Sequence, residues 1–253
     1  MALFDIFGSK TSYIDSGLLW GMTDIHCHIL PAVDDGVGNY NEAVQSLTWL
    51  KKNGVRRMFL TPHVMSDMSL NTKGYLTEWF EKFLSDIKSN GVGGIPEIKL
   101  GAEYMLDPGF VNRKKEGLLT YADNRVLVET SYMMPPVGFN RMLEELMEEG
   151  YSPLLAHPER YNYMQINDYE FLKEQGVLFQ LNIFSLTGAY GKLANDKADM
   201  LLKKGFYDYA GSDFHHLTRH EKSFSAKKLS TKQVSALKQL IDNNKMLWSD
   251  FQY

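Results

Sequence analysis

Seven short apolar segments alternate with helical patterns along this chain, and the alternation limits the possible folds more than any other sequence feature. The predicted strands are the segment that leads into His26, then residues 55–61, 95–101, 125–129, 152–156, 177–181 and 206–210. The predicted helices cover residues 39–54, 72–89, 108–116, 139–149, 168–175, 192–204 and 230–243. Alternating strands and helices form βα units around a parallel sheet. The sequence therefore predicts an α/β fold, with a lead-in over residues 1–20 and one domain over 21–253.

The ends of these predicted strands carry most of the chain's histidines together with several acids. In β/α barrels, functional groups lie on the loops that follow the carboxyl ends of the strands. Six of the strand ends supply such side chains: His26 and His28, His63, Glu103, Glu129, His157, and Asp213 with His215. A random scatter of seven histidines would not fall so consistently at strand ends. The pattern predicts that these residues meet in one site.

The segment His26-Cys27-His28 places two imidazoles on one face of a strand, because side chains alternate between faces. Two half-buried histidines without a ligand are the alternative for such a short motif. Cys27 points to the opposite face and is predicted to pack in the core. A phosphatase with a cysteine nucleophile needs an arginine six residues after the cysteine, and that position is Val33. The motif therefore favours metal binding over cysteine chemistry.

Nine side chains, including Asp35 in the turn after His28, form the candidate ligand set. Histidine and carboxylate ligands without thiolates favour Mn²⁺, Fe or Zn²⁺, and nine ligands suit two or three ions rather than one. Clustered metal ions lower the pKa of bound water and hold the attacking and leaving oxygens during displacement at phosphorus. Each residue also has an ordinary alternative: His63 as a turn residue, Glu129 paired with Arg125, and Glu103 solvated.

Two arginines are candidates for binding phosphate. Arg160 lies three residues after His157, and a guanidinium group binds phosphate oxygens in a bidentate manner. Its alternative is a surface ion pair with Glu159. Arg219, shortly after His215, is the weaker candidate.

Charge and composition exclude several classes of protein. The net charge is −4 and no basic block is present, which argues against non-specific binding to nucleic acid. A single cysteine suits a reducing compartment. The apolar run at the N-terminus is too short for a secretory signal, and no run reaches the roughly 18 residues of a membrane helix. We therefore expect a cytoplasmic protein without stable membrane insertion.

Five motifs together resemble the polymerase-and-histidinol-phosphatase (PHP) superfamily. They are Asp24-Ile-His26-Cys-His28, Pro62-His63, Gly101-Ala-Glu103, His157-Pro-Glu-Arg160 and Ser212-Asp213-Phe-His215. The form of residues 29–36, Ile-Leu-Pro-Ala-Val-Asp-Asp-Gly, and the His-Pro-Glu-Arg motif are similar to those of the tyrosine phosphatases of bacterial capsule operons. The resemblance covers nearly all of residues 20–220. It implies a distorted seven-stranded, TIM-like β/α barrel with a trinuclear centre, commonly active with Mn²⁺.

The resemblance also implies a role for each site residue. The first ion would be held by His26, His28, Glu103 and Asp213; the second by Glu103, Glu129 and His157; the third by Asp35, His63 and His215. Arg160 would stabilise the phosphate oxygens, and Arg219 would be the second arginine. The implied reaction is hydrolysis of phosphotyrosine on protein by metal-bound hydroxide. The implied partner is a bacterial autophosphorylating tyrosine kinase that controls polysaccharide synthesis and export.

Two other functions are compatible with the sequence. A PHP phosphatase for histidinol phosphate, or for a sugar or nucleotide phosphate, would use the same metal site, because the rim of the barrel selects the substrate. A catalytically silent barrel that scaffolds a partner would be expected to lack some of the metal ligands. We also interpret residues 132–136 and 161–164, which include Met134 and Tyr161, as lining a shallow pocket for a phosphotyrosyl ring, with core packing as the alternative.

Overall fold

The computed structural model describes residues 10–122 and 124–248, so residues 1–9 of the predicted lead-in lie outside the described part of the chain. Nine strands are found in this part of the chain: β1 Thr23–Asp24, β2 Arg57–Leu60, β3 His63–Val64, β4 Glu97–Leu100, β5 Glu103–Met105, β6 Arg125–Glu129, β7 Ser152–Ala156, β8 Leu178–Asn182 and β9 Tyr209–Gly211. The α-helices are α1 Tyr40–Lys52, α2 Lys73–Ser89, α3 Phe110–Lys115, α4 Phe139–Glu148, α5 Ile166–Glu174, α6 Lys192–Lys204, α7 Leu217–Ser225 and α8 Thr231–Asn243. Short 3₁₀ helices cover Pro158–Arg160, Ile183–Thr187 and Asn244–Leu247.

The strands form two parallel sheets, which confirms the predicted α/β class. One sheet has the order β1-β2-β4, and the other has the order β3-β5-β6-β7-β8-β9. Only two residues separate β2 from β3, and two separate β4 from β5. Pro62 lies in the first of these gaps, where its missing N–H interrupts the ladder. The predicted distorted seven-stranded barrel is not confirmed, because the described strands pair as two separate sheets.

The longer helices each bury an apolar stripe. In α2, for example, the buried side chains are Leu76, Phe80, Phe83 and Ile87, at the three- and four-residue spacing of one helical face. Strands β6, β7 and β8 are buried almost throughout. None of the helices within the described ranges is both long enough and apolar enough to cross a membrane.

Several predicted elements are confirmed at the same bounds, and one helix was missed. The predictions for β6, β7 and α6 match the observed strands and helix. Helix α7 was not predicted, because a histidine, His220, occupies one of the two positions that this helix buries. All strands run in parallel, so their carboxyl ends lie on one side of the fold, where the candidate side chains gather.

Candidate metal centre

The nine predicted ligands come together at the carboxyl ends of the strands. His63 and Glu103 begin β3 and β5, Glu129 ends β6, and the others lie in the loops after β1, β7 and β9. The ligand atoms form four overlapping groups, in each of which they lie within 4.8 Å of one another. The groups are His28, Asp35, His63 and His215; His26, His157 and Asp213; His26, His28 and Glu103; and His63, Glu103 and Glu129.

Glu103 lies at the middle of the cluster. Its Oε2 atom is 3.1 Å from His26 Nε2, 3.3 Å from His28 Nε2 and 3.2 Å from His63 Nδ1. Its Oε1 atom is 3.0 Å from His157 Nε2. Glu103 is therefore the carboxylate best placed to bridge two ions.

Two further carboxylates border the histidines. Asp213 Oδ1 is 3.3 Å from His28 Nε2 and 3.5 Å from both His26 Nε2 and His215 Nδ1. Glu129 Oε1 is 3.0 Å from His63 Nδ1, rather than paired with Arg125 as the alternative interpretation required. Both carboxylates are almost fully buried.

The outer part of the cluster is open to solvent. Asp35 Oδ1 is 3.4 Å from His63 Nε2 and 3.4 Å from His215 Nε2. The Asp35 side chain is 65% exposed, whereas those of His63 and His215 are 11% and 17% exposed. The cluster thus runs from a buried end at His26 to an open end at Asp35.

Hydrogen bonds from the far side of the rings orient the two central histidines. Gln180 Oε1 accepts a hydrogen bond from His26 Nδ1 at 2.9 Å, and Asp34 Oδ2 accepts one from His28 Nδ1 at 2.8 Å. In a neutral imidazole this leaves Nε2 as the atom with the lone pair. The two Nε2 atoms, 3.2 Å apart, then face carboxylate oxygens, and a bound cation would stabilise such a set of acceptors.

Buried atoms without hydrogen bonds give a second test of whether metal ions fit. Within the described part of the chain, Glu103 Oε2, Glu129 Oε1 and His63 Nδ1 are buried and have no hydrogen-bond partner. Such atoms are rare in native structures because each costs free energy. These three belong to one of the four ligand groups, so the residues present fit a metal ion at this point.

Electrostatics in the cluster keeps carboxylates charged and histidines basic. Burial alone would raise the pKa of Glu103, but His26 and His63 hold it well below its usual value. Burial and His28 favour the neutral form of His63, yet Glu103 and Glu129 raise the pKa of this ring to about 9. Four carboxylates in one largely buried site require positive charge, and bound cations would supply it.

The backbone around the site is held in unusual conformations. His157, the residue directly after β7, and Asp213, the second residue after β9, have positive φ values of 35° and 52°. Positive φ in residues other than glycine carries strain, and such residues cluster at functional sites. Gly36 is required for a different reason, because a Cβ atom there would overlap the carbonyl group of His28.

Arg160 lies beside the cluster but does not pair with Glu159. Its Nη1 atom donates to Asp213 Oδ2 at 2.7 Å. Glu159 is fully buried and accepts hydrogen bonds from Asn182 N, from the Ser185 hydroxyl and from the Tyr207 hydroxyl. Arg219 is exposed on α7 and contacts the ring of Tyr190 rather than a metal-ligand candidate. The structure thus brings Arg160 to the cluster and leaves Arg219 at its rim.

Sequence reasoning placed Tyr161 wrongly and missed two supporting residues. Tyr161 is completely buried, and its hydroxyl donates to Ala156 O, so it cannot line a substrate pocket. Asp34 and Gln180 were not proposed, although the sequence shows a second aspartate beside Asp35 and a glutamine within an apolar predicted strand. Cys27 is buried and donates to Phe59 O, which agrees with its predicted place in the core.

Comparisons with known proteins point in one direction. The family model described as capsular polysaccharide synthesis, CpsB/CapC, matches residues 22–245. The chain is 28% identical over 204 residues to "Tyrosine-protein phosphatase YwqE" of Bacillus subtilis (strain 168), covering 78% of each protein. It is 28% identical over 249 residues to "Tyrosine-protein phosphatase CpsB" of Streptococcus pneumoniae, covering 90% of this chain and 99% of the relative.

A solved structure shares the fold. It comes from crystal structures of YwqE from Bacillus subtilis and CpsB from Streptococcus pneumoniae, described as unique metal-dependent tyrosine phosphatases. The TM-score is 0.76 at 23% sequence identity, over 91% of this chain and 96% of that chain. The arrangement of strands and helices is therefore that of the solved relative.

Proposed function

Because the chain belongs to the capsular polysaccharide synthesis CpsB/CapC family, we propose that it is a metal-dependent phosphatase that hydrolyses phosphotyrosine on protein. Relatives in Bacillus subtilis and Streptococcus pneumoniae are named tyrosine-protein phosphatases. The observation that carries the proposal is the meeting of five imidazoles and four carboxylates directly beside the guanidinium of Arg160. Metal ligands next to a phosphate-binding cation are what phosphoryl transfer requires.

The proposed ligands are all nine residues of the cluster, with Mn²⁺ as the ion and two or three ions in total. The first set is His26, His28, Glu103 and Asp213, the second is Glu103, Glu129 and His157, and the third is Asp35, His63 and His215. The first and third sets are supported by groups of neighbouring ligand atoms. For the second set, His157 Nε2 lies 3.0 Å from Glu103 Oε1 and 3.9 Å from Glu129 Oε2.

In this proposal the protein residues bind and orient the phosphate group. When bound, the metal ions supply Lewis acidity and lower the pKa of water. Arg160 presents its guanidinium edge to the phosphate oxygens, while Asp213 holds its Nη1 atom. Asp34 and Gln180 fix the orientation of His28 and His26, so that the Nε2 atoms stay directed into the site. Arg219 would help to attract the phosphate from the rim.

The surface beside His157 suits a protein substrate. The loop after β6 exposes apolar side chains beside the site, with Met133 and Met134 73% and 67% exposed. Tyr132, the residue before them, has its ring 5.9 Å from the ring of His157. We propose that Met134 contacts the phosphotyrosyl ring, whereas the buried Tyr161 supports the loop from below. A bacterial tyrosine autokinase is the proposed substrate protein, in the cytoplasm.

We also propose that residues 21–253 form one domain built as a distorted seven-stranded barrel. Counting β2 with β3, and β4 with β5, as interrupted strands reduces nine strands to seven. Backbone hydrogen bonds from His28 N to Phe214 O and from Asp213 N to His26 O join the last strand to the first. A parallel bridge between Cys27 and Phe214 lies at the same place.

The test is phosphate release from a phosphotyrosine peptide, from histidinol phosphate and from p-nitrophenyl phosphate, each with Mn²⁺ and with chelator. We expect chelator-sensitive activity that prefers the peptide and falls at least about 100-fold in Arg160→Ala, since a charge-assisted contact to the transition state is lost. The control is Arg56→Ala, which removes an exposed arginine that pairs with Glu97 at the other end of the strands.

Three results would contradict the proposal. Preference for histidinol phosphate would keep the metal site and assign a small-molecule substrate. Absence of turnover with bound metal confirmed by elemental analysis would favour a scaffold. Full activity in the presence of chelator would exclude the metal-dependent mechanism.

A further inference from the structure

Two tyrosine rings lie close to the guanidinium group of Arg160. Its Cζ atom lies 4.4 Å from the ring centroid of Tyr132 and 4.2 Å from that of Tyr190. Arg219 also lies near the ring of Tyr190, with its Cζ atom 5.8 Å from the ring centroid. Tyr132 follows β6, Arg160 follows β7, and Tyr190 precedes α6, so three separate loops build the stack.

The base of this stack is fixed in the core. The ring of Tyr132 stacks on Tyr161 at 6.1 Å, and Tyr161 stacks on Tyr163 at 5.9 Å. The Tyr161 hydroxyl donates to Ala156 O at 2.8 Å. Lys197 Nζ donates to the carbonyl oxygens of Tyr161 and Met164 at 2.6 and 2.8 Å. The loop that follows Arg160 therefore has little freedom to move.

Both ring centroids lie within 4.4 Å of the Arg160 Cζ atom, and the N–H groups of a guanidinium can donate hydrogen bonds only along its edge. Among residues 10–122 and 124–248, the side chain found to accept a hydrogen bond from Arg160 is that of Asp213, which occupies Nη1. The side chain of Arg160 is only 16% exposed, so little water competes for the remaining N–H groups. A cation held between rings is stabilised by the negative faces of those rings.

We propose that Tyr132 and Tyr190 are positioning residues that fix the plane of the Arg160 guanidinium, so that its free edge meets the substrate phosphate. This inference rests on the proposed phosphatase function. Without one ring, the guanidinium can rotate about its long side chain, and the orientation for bidentate contact is lost part of the time. The rings act on phosphate only through Arg160.

The test is a double-mutant cycle between Tyr190→Leu and Arg160→Ala in the Mn²⁺-loaded protein. Two quantities are measured: kcat/KM for a phosphotyrosine peptide, and the dissociation constant of inorganic phosphate by calorimetry. Because Tyr190→Leu removes one cation–π contact, it should lower kcat/KM and raise the dissociation constant of phosphate, each by roughly 5- to 30-fold. In the Arg160→Ala background the same change should alter them by less than about 2-fold.

Matched variants separate the effect of the tyrosine ring from the effects of its hydroxyl group and of general packing. Tyr190→Phe keeps the ring and removes the hydroxyl, which lies 3.5 Å from Asp213 Oδ2, and should recover most of the loss. Tyr132→Leu should behave like Tyr190→Leu. Tyr75→Leu removes a partly buried ring that stacks on Trp79 in α2, and it should leave both quantities unchanged. Melting temperatures confirm that each variant is folded.

Equal losses in the wild-type and Arg160→Ala backgrounds would refute the positioning role, as would no loss in either. If the wild-type protein binds phosphate but hydrolyses nothing, the proposed function fails while the binding cycle still decides the role of the rings. If it hydrolyses the peptide and the losses are additive, only the role of the rings fails. A wild-type protein that neither binds phosphate nor hydrolyses the peptide refutes both.

Discussion

Replacing Glu103 with glutamine should remove most of the stabilisation that metal ions give this protein. Glu103 is buried, belongs to two of the four ligand groups, and approaches four imidazoles. Glutamine keeps the size but supplies no anionic oxygen. Mutation of a residue that only supports a metal ligand typically lowers metal affinity 10- to 100-fold. Loss of a central candidate ligand should therefore lower metal affinity at least about 100-fold.

The expected size of the effect follows from linkage. At a free Mn²⁺ concentration of about 100 times Kd, one site stabilises the folded state by about 2.7 kcal/mol. For a chain of this length, that corresponds to a rise in Tm of roughly 5–11 °C. After a 100-fold loss of affinity, the same concentration gives only about 0.4 kcal/mol, or roughly 1 °C.

The assay is thermal unfolding of chelator-treated protein in a series of Mn²⁺ concentrations, with bound metal counted by elemental analysis. The control is Glu97→Gln, which changes an exposed glutamate in β4, at the opposite end of the strands from the site. A Glu103→Gln protein that retains the full metal-dependent rise in Tm would refute the central role of this carboxylate. Loss of the rise in Glu97→Gln would show that the assay reports something other than the site.

Three further predictions concern residues around the site. Asp34→Asn should weaken Mn²⁺ binding about 10- to 100-fold in calorimetric titrations without removing a proposed ligand, because His28 Nδ1 loses its charged partner; unchanged affinity would contradict this. His220, packed between Phe184 and Phe214, has its pKa lowered to about 4 by burial, so the unfolded chain takes up the proton first on acidification. The contribution of His220 to the free energy of unfolding should be intact above about pH 6.5 and lower by about 2 kcal/mol at pH 5. Urea unfolding of the metal-free protein measures this loss, and the free energy of unfolding of His220→Phe should depend less steeply on pH. Met134→Ala should raise KM for a phosphotyrosine peptide several-fold at unchanged kcat, and an unchanged KM would argue against contact with the phosphotyrosyl ring.

The meeting of the nine candidate ligands could be predicted from the sequence because of a property of parallel strands. Once the strands were predicted, their carboxyl ends had to meet on one side of the fold, so His63, Glu103 and Glu129 had to be neighbours. The exact register was not needed for that inference. The ends of β6 and β7 could be placed because Glu129 and His157 close short, uniformly apolar runs.

Other features depended on how the loops fold, which periodicity does not encode. The stack of Tyr132, Arg160 and Tyr190 joins positions far apart in sequence, and no spacing rule connects them. A surface ion pair between Glu159 and Arg160 was the alternative interpretation, yet Glu159 accepts three hydrogen bonds in the interior. Tyr161 was interpreted as a pocket residue because the sequence does not show whether an aromatic side chain in a loop points outward or into the core.

The gradual exposure from His26 to Asp35 implies that metal ions at the two ends would exchange at different rates. A chelating molecule can reach the carboxylate of Asp35 directly, whereas His26 is completely enclosed. Ions held by the outer residues should therefore leave first, and partly metallated protein should accumulate during purification. The history of a preparation, and not only its final buffer, would then determine how many of its molecules are active.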